Sequence, residues 1–333
     1  MKKKFGLKNL LMVTALSTLL VACGDDNKTN STDNNAGVSA DQLETRFVTI
    51  ATGGSSGPYN IIGTTLGQIY SKTYGVNSKS QSTGASIQNV NLVNQGKAEM
   101  ALTMSDVLSQ AVAGTGSFPE KIDNVVQVAA LYPNYVQIVT SKKSGIKTMD
   151  DLKGKRVAVG DLNSGTEMNA RALLNGHGIT YDDLRIDYLG FAEAVDALRG
   201  GKIDAAVLTS GLPNASIMEL EQGFDLQLVE IRKPMVDDIA KDQSYFLSAE
   251  IPAGTYNNEE AIPTAIIVNA LVVRKDLSED DVYKLTKTFF ENLDNLSNAH
   301  QAAKGISLEN AQKGLVAPLH PGAKKYYDEQ AAK

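Results

Sequence analysis

Tryptophan is absent and aromatic residues make up 6% of the chain, so the sequence offers no ring platform on which a sugar could stack. There is one cysteine, Cys23, which excludes an internal disulfide and a thiolate metal site. The three histidines, His177, His300 and His320, stand far apart and offer no metal cluster; each reads as a surface residue. None stands beside a candidate serine, so an activated nucleophile is missing and the chain reads as a non-enzyme that needs no cofactor. The Gly-Lys-Ser/Thr ending of a P-loop is also missing from the glycine-rich residues 52–59 (TGGSSGPY), which makes nucleotide binding a poor fit.

What is present begins with an address. Lys2, Lys3, Lys4 and Lys8 precede an apolar stretch over residues 10–21, the pattern of a secretory signal. That stretch is shorter than the roughly 20 apolar residues of a membrane span. It closes on Leu20-Val21-Ala22-Cys23, which resembles the lipobox of bacterial lipoproteins. The resemblance implies that residues 1–22 are cleaved and that Cys23 carries a lipid. Residues 23–45 then read as a disordered tether, rich in Asp, Asn, Ser and Thr. Taking the four leader lysines from 32 basic residues leaves 28 against 38 acidic ones, a net charge of −10. Such a chain has no basic surface for nucleic acid. It fits an extracytoplasmic domain on the periplasmic or outer side of a membrane, and any anion site in it must be favourable locally.

From residue 47 to about 290, β-prone and helix-prone segments alternate, the signature of an α/β fold with mostly parallel sheets. Four of the β-prone runs (47–51, 76–82, 157–160 and 205–209) end near a Ser/Thr-Gly pair followed by a helical pattern. Each pair places backbone N–H groups and a hydroxyl at a helix N-terminus, where a carboxylate or phosphate is stabilised. The same pairs also serve as ordinary helix caps. The candidate ligand residues are Ser55, Ser56, Gly57 and Tyr59 in the first turn, and Thr83 and Ser86 in the second. Ser164, Gly165 and Thr166 follow in the third, and Ser210 in the fourth. Residues 161–167 do not make a calcium loop, since Gly165 stands where that loop needs Asp or Asn.

Residues 125–140 read as a long β-prone stretch interrupted at Tyr132-Pro133-Asn134, and a second such run lies near residues 262–274. These are read as two crossings between two lobes: 46–136 with 264–333 as the first, and 137–263 as the second. Residues 278–327 read as helical and are expected to pack back on the first lobe. The expected architecture is therefore a two-lobed periplasmic-binding-protein fold of type II kind, with mixed or parallel sheets, a hinge and a ligand cleft between.

Taken in order, IATGGSSGPY (50–59), TGASIQN (83–89), GKAEMALTMSD (96–106), NSGTE (163–167) and IPAGTY (251–256) resemble the TAXI subfamily of solute-binding proteins of TRAP transporters. The similarity runs over nearly all of residues 46–330. It implies a monomeric binding protein that closes on a carboxylate, a glutamate-like or 2-oxoglutarate-like C4–C5 acid. It also implies delivery to TRAP permease subunits driven by an ion gradient, and a site made of the Ser, Thr, Tyr and backbone donors named above. The chain departs from the family at Met104, where glutamine is common, and in its lipid anchor. A substrate-binding lipoprotein of an ABC importer, or a ligand-sensing binding protein, is the alternative with the same fold.

Overall fold

The computed structural model describes residues 42–333; the leader, Cys23 and most of the tether lie outside them. Strand and helix alternate at once. β1 (Phe47–Ala51) leads to α1 (Pro58–Tyr74), β2 (Asn77–Gln81) to α2 (Ser86–Asn94), and β3 (Met100–Met104) to α3 (Ser105–Ala113). Proline at the first position of α1 has no N–H to waste, and Ile62, Leu66 and Tyr70 recur four apart to form its buried stripe.

β4 (Val125–Ser141) is a single strand of 17 residues. After it come β5 (Arg156–Ala158), α4 (Gly165–Gly176), β6 (Arg185–Asp187), α5 (Phe191–Arg199), β7 (Ala205–Ser210) and α6 (Ala215–Glu221). Then follow β8 (Leu226–Val229), α7 (Lys233–Ile239), β9 (Leu247–Ile251) and the second long strand, β10 (Ile262–Arg274). α8 (Glu279–Glu291), α9 (Leu293–Ala299) and α10 (Pro321–Ala331) complete the chain.

The strands hydrogen-bond in the order β2-β1-β3-β10-β4-β7-β5-β6, with β8 added on β4 and β9 on β10. Two parallel groups, β2-β1-β3 and β7-β5-β6, stand at the two ends. The long strands β4 and β10, antiparallel to each other, join them. The first part of β4 pairs with the second part of β10, while its last residues pair with β7 and β8. The two lobes of the fold therefore share one ladder of strands through the pair that crosses between them.

Two sequence expectations need correction here. The predicted interruption of β4 does not occur. Pro133 stays in the strand opposite Val268, beside a register shift between Val268 and Ala270, where an irregular ladder tolerates a residue without an N–H. The predicted helical stretch 278–327 is also broken. Residues 306–320 are largely irregular and lie along β4, where Gln127 N–H donates to Pro318 O at 2.8 Å and Leu319 bridges Gln127.

Three apolar clusters hold the fold. One joins Val48, Ile50 and Leu66 to Leu285, Phe289 and Tyr326, so α8 and α10 do cover the β1–β3 end. A second packs Val195 and Ile217 on Ala206 and Leu208 at the β7 end. The third, including Val90, Val107, Ile138, Val157 and Leu173, runs through both ends. The last residues of the segment read as tether are docked. Backbone N–H groups of Glu44 and Thr45 donate to the Asp281 carboxylate at 2.8 and 2.9 Å. No helix among the described residues is long and apolar enough to cross a membrane.

Candidate functional site

Five helices begin at one cavity of ≈ 60 Å³. Its wall contains Gly57, Ala85, Met104, Ser164 and Gly190, the residues that precede α1, α2, α3, α4 and α5. Three of those helices belong to the β1–β3 end and two to the β5–β7 end. In α1, α2 and α5 no side chain caps the first turn, so free N–H groups remain there, save at Pro58 of α1, which has none, and Asn60, whose N–H donates to Gly57 O at 3.1 Å. Aligned peptide dipoles put partial positive charge at each start, and an anion there gains from several at once. No lysine or arginine lines the cavity; Asp161, exposed at its edge, is the charged side chain that does.

Of the ten candidate residues, Gly57, Tyr59, Thr83, Ser164, Thr166 and Ser210 line this cavity. They differ in what they have left to give. The Ser164 hydroxyl accepts from the Glu167 N–H at 3.1 Å and caps α4, which leaves its own proton free. Ser210 is engaged already, accepting from Gln137 Nε2 at 3.0 Å and Asn214 Nδ2 at 2.9 Å. Thr83 donates to Asn89 Oδ1 at 2.6 Å and accepts from the Ala85 N–H at 2.9 Å. It shapes the turn, in which Ala85 holds a φ of 76°, strained for a residue with a Cβ. Gly160, at φ +101°, makes the opposite turn before α4, where an added Cβ would meet Thr166 Cγ2 at 2.7 Å.

Four candidates do not line the cavity. Ser55 is exposed and Ser56 half-buried, on the outer side of the first turn. Residues 53–57 spell Gly-x-Ser-x-Gly, the spacing of a nucleophile elbow, yet no histidine hydrogen-bonds to Ser55 among the described residues. Ser86 is fully buried behind the wall, its hydroxyl accepting from the Met104 N–H at 3.2 Å. Gly165 sits where the two ends of the molecule touch. A Cβ on it would stand 2.9 Å from Met104 Sδ and 3.0 Å from Ser86 Oγ. Gly57 similarly faces Phe191 across the gap, and Gly84 faces the Leu162 carbonyl.

The floor of the cavity rests on the crossing strands. The Tyr59 hydroxyl donates to Asn269 Oδ1, which also accepts from Asn134 Nδ2 at 2.9 Å. Asn269 returns the bond to Asn134 Oδ1 at 2.9 Å and donates to Tyr132 O at 2.8 Å. Asn269 lies at the register shift of β10, and such irregularities re-aim side chains at functional sites. Burial pushes the Tyr59 hydroxyl well above its ordinary range, so it remains a neutral donor.

Sequence reasoning missed Thr209, Asn134 and the start of α5. Thr209 lines the cavity, is 2% exposed, and its Oγ1 has no hydrogen-bond partner. A buried hydroxyl left unpaired costs on the order of 1–3 kcal/mol, which a bound acceptor would recover. The histidines lie elsewhere. His320 corrects the surface reading: it is 2% exposed and its Nδ1 accepts from the Gly322 N–H at 3.1 Å to cap α10.

Several solved structures share this architecture. Periplasmic binding protein BugD is 14% identical over 86% of this chain and 96% of its own, with a TM-score of 0.55. PhnD1 from Prochlorococcus marinus, solved with methylphosphonate, is 14% identical over 86% of this chain and 96% of its own (TM-score 0.51). The alkanesulfonate-binding protein SsuA from Xanthomonas axonopodis pv. citri, bound to MOPS, is 14% identical over 87% and 92% (TM-score 0.50). Identity at this level speaks to the fold, the two-lobed fold of periplasmic binding proteins. A family model matches residues 50–331, and by that match the chain belongs to the NMT1-like family.

Proposed function

We infer that the chain is an extracytoplasmic solute-binding protein that closes on a small oxyanion and presents it to a membrane importer. The observation that carries this reading is the convergence of five helix starts, three from one end and two from the other, on a cavity that also holds the unpaired Thr209 hydroxyl. At ≈ 60 Å³ the space is far below the roughly 300–1,000 Å³ of pockets for drug-sized ligands. Lobes at 46–136 with 264–333 and at 137–263, hinged on β4 and β10, would open and close it.

The energetics suffice without a cationic side chain. Micromolar capture needs about 8 kcal/mol. Charge-assisted hydrogen bonds contribute roughly 1.5–3 kcal/mol each, and each helix start adds about 0.3–1 kcal/mol. Three such bonds, from Ser164, Thr209 and free N–H groups, together with the helix starts reach that order.

A carboxylate is the ligand the sequence resemblance implies, and a phosphonate or sulfonate suits the same donors. The structural relatives solved with methylphosphonate and with MOPS support widening the class. Asp161 at the edge disfavours a second negative charge there and favours an ammonium group. Within the C4–C5 acids this ranks a glutamate-like ligand above a 2-oxoglutarate-like one. For the importer, the comparisons back the ABC reading better than the TRAP reading. The matching family model is the NMT1-like one, and the named relatives include phosphonate and alkanesulfonate binders. Lipidation at Cys23 would hold a monomer beside either importer and raise its effective concentration there.

Thermal shift of residues 24–333 against alkylphosphonates, alkanesulfonates, C3–C6 organic acids and amino acids tests the reading. A solute at about 100 times its dissociation constant stabilises by roughly 2.7 kcal/mol, a shift of several degrees for a chain of this size. Silence from the whole panel after denaturation and refolding would refute it. An adjacent permease gene with an ATPase beside it supports the ABC reading, and one without supports TRAP.

A further inference from the structure

Beside the cavity, the two ends of the molecule also meet along α3 and α4. Asp106 is the second residue of α3, and Asn169 lies one turn into α4. Asn169 Nδ2 donates to Asp106 Oδ2 at 2.6 Å, with Asp106 1% exposed and Asn169 0%. The other oxygen of each side chain, Asp106 Oδ1 and Asn169 Oδ1, is buried and has no partner. Two acceptors side by side with no donor is a costly arrangement for groups cut off from water.

One proton satisfies both. A neutral carboxylic acid and a primary amide form a reciprocal pair: amide N–H to acid carbonyl, acid O–H to amide carbonyl. The chain already contains the amide–amide version of this pair in Asn134 and Asn269, with both bonds at 2.9 Å. Protonation of the Asp106 carboxyl would allow the same two-bond arrangement with the Asn169 amide.

We propose that Asp106 and Asn169 form a proton-binding latch between the lobes, in which a proton taken from solvent onto Asp106 Oδ1 bonds to Asn169 Oδ1 and favours the closed form. The surroundings are consistent with a carboxyl that lacks a counter-ion. Across the adjoining groove, α4 presents Glu167 and Arg171, which pair with each other at 2.5 Å. The segment before β9 presents Tyr245, α3 itself presents Gln110, and Tyr59 of α1 lies on the cavity side. Burial pushes the Asp106 carboxyl up to about 6. Nearby N–H groups of the first α3 turn and the Asn169 amide pull against that shift, though none of them bonds Oδ1.

The sign follows from the direction of that shift. The closed form holds the Asp106 proton up to about pH 6, whereas a solvated carboxyl releases it near 3.8. Closure therefore takes up a proton in that window; it is favoured as the pH falls through 6 and loses this contribution above it. The closed-to-open ratio should rise about fourfold from pH 7.5 to 5.5 and about tenfold by pH 5.0. The inference rests on the two-lobed fold and not on which solute is bound.

Small-angle X-ray scattering of the solute-free chain tests it, read as the radius of gyration at pH 7.5 and 5.0. Wild type is expected to become more compact at pH 5.0. Asp106→Asn, whose amide stands in for the neutral acid, should be compact at both values. Asp106→Ala, which has no carboxyl to titrate, should show the same radius at both values. A wild-type radius that does not respond to pH overturns the proposal, as does an Asp106→Asn radius that responds like wild type. If Asp106→Asn fails to fold by circular dichroism, a pH response preserved in Asp106→Ala overturns it alone.

Discussion

Gly165→Ala isolates closure from ligand contact. Gly165 is the first residue of α4 and its φ is not in the left-handed region, so alanine is allowed by the backbone. What alanine meets is the other end of the molecule: its Cβ would stand 2.9 Å from Met104 Sδ, 3.0 Å from Ser86 Oγ and 3.2 Å from Ser86 Cβ. These are tighter than ordinary van der Waals contact, and Ser86 is held by its bond to the Met104 N–H. Overpacking of this kind costs about 1–3 kcal/mol. In an open form Gly165 stands apart from the other two, so the cost falls on the closed form alone. Solute affinity should then drop by roughly 5- to 150-fold, while the melting temperature of the solute-free protein changes little. Isothermal titration with the best ligand of the thermal-shift panel measures the first, and calorimetry the second. Met104→Ala added to Gly165→Ala should restore part of the affinity, a coupling that a double-mutant cycle reads directly. Affinity within twofold of wild type refutes the argument. So does a solute-free melting temperature that falls by the full amount, because closure would then not be the step that bears the strain.

Other expectations follow from the same geometry. Thr209→Val keeps the shape and removes the hydroxyl; affinity should fall at least about tenfold, by the value of a charge-assisted bond, with stability unchanged or raised. Wild-type affinity in calorimetry would remove Thr209 from the site. Ser55→Ala and Ser56→Ala, both off the cavity, should bind within twofold of wild type, and a larger loss would return that turn to the ligand. Burial lowers the basicity of His320, which is neutral in the fold. Its contribution to stability is therefore full above the unfolded value of about 6.5 and is lost as pH falls below that. His320→Asn, which retains a cap for α10, should flatten the decline of melting temperature between pH 7 and 5.5; an unchanged slope would show that His320 does not cause it.

The turns were legible in the sequence because their chemistry is local. A Ser or Thr that caps, a glycine that turns and a proline that starts a helix act on their own neighbours, and the structure begins α1, α2 and α4 at those turns. Side-chain direction was not legible. Ser55 and Ser56 carry the right groups, but the turn through Gly53 and Gly54 points them outward, while its glycines line the cavity. Thr209 was hidden for another reason. Every residue of β7 is buried, so no alternation marks which face meets a cavity and which meets the core. Gly190 opens α5 without a Ser or Thr and carries no composition signal. The continuity of β4 through Pro133 depends on a register shift in β10, a strand more than a hundred residues away. No local rule contains that information.

Holding an anion in a chain of net charge −6 looks contradictory until the distances are compared. Charges on the exposed surface act through water and salt, which screen them beyond about 8–10 Å. Parts of that surface are locally neutral as well, where lysines pair with acids, for example Lys324 with Asp328 at 2.6 Å and Lys233 with Asp237 at 2.8 Å. The helix starts act at hydrogen-bond distance inside a cavity that closure shields from solvent, where the same partial charges interact more strongly. Specificity follows from the same feature. An arginine would attract any anion at long range, whereas N–H groups and a single unpaired hydroxyl reward only an acceptor placed within reach of both lobes. An anion too small to touch both has no means of holding them together, and one too large prevents Gly165 from reaching Met104 and Ser86. Size selection and closure are then the same physical event, which is why the contact at Gly165, outside the cavity, should govern affinity as strongly as a residue that touches the solute.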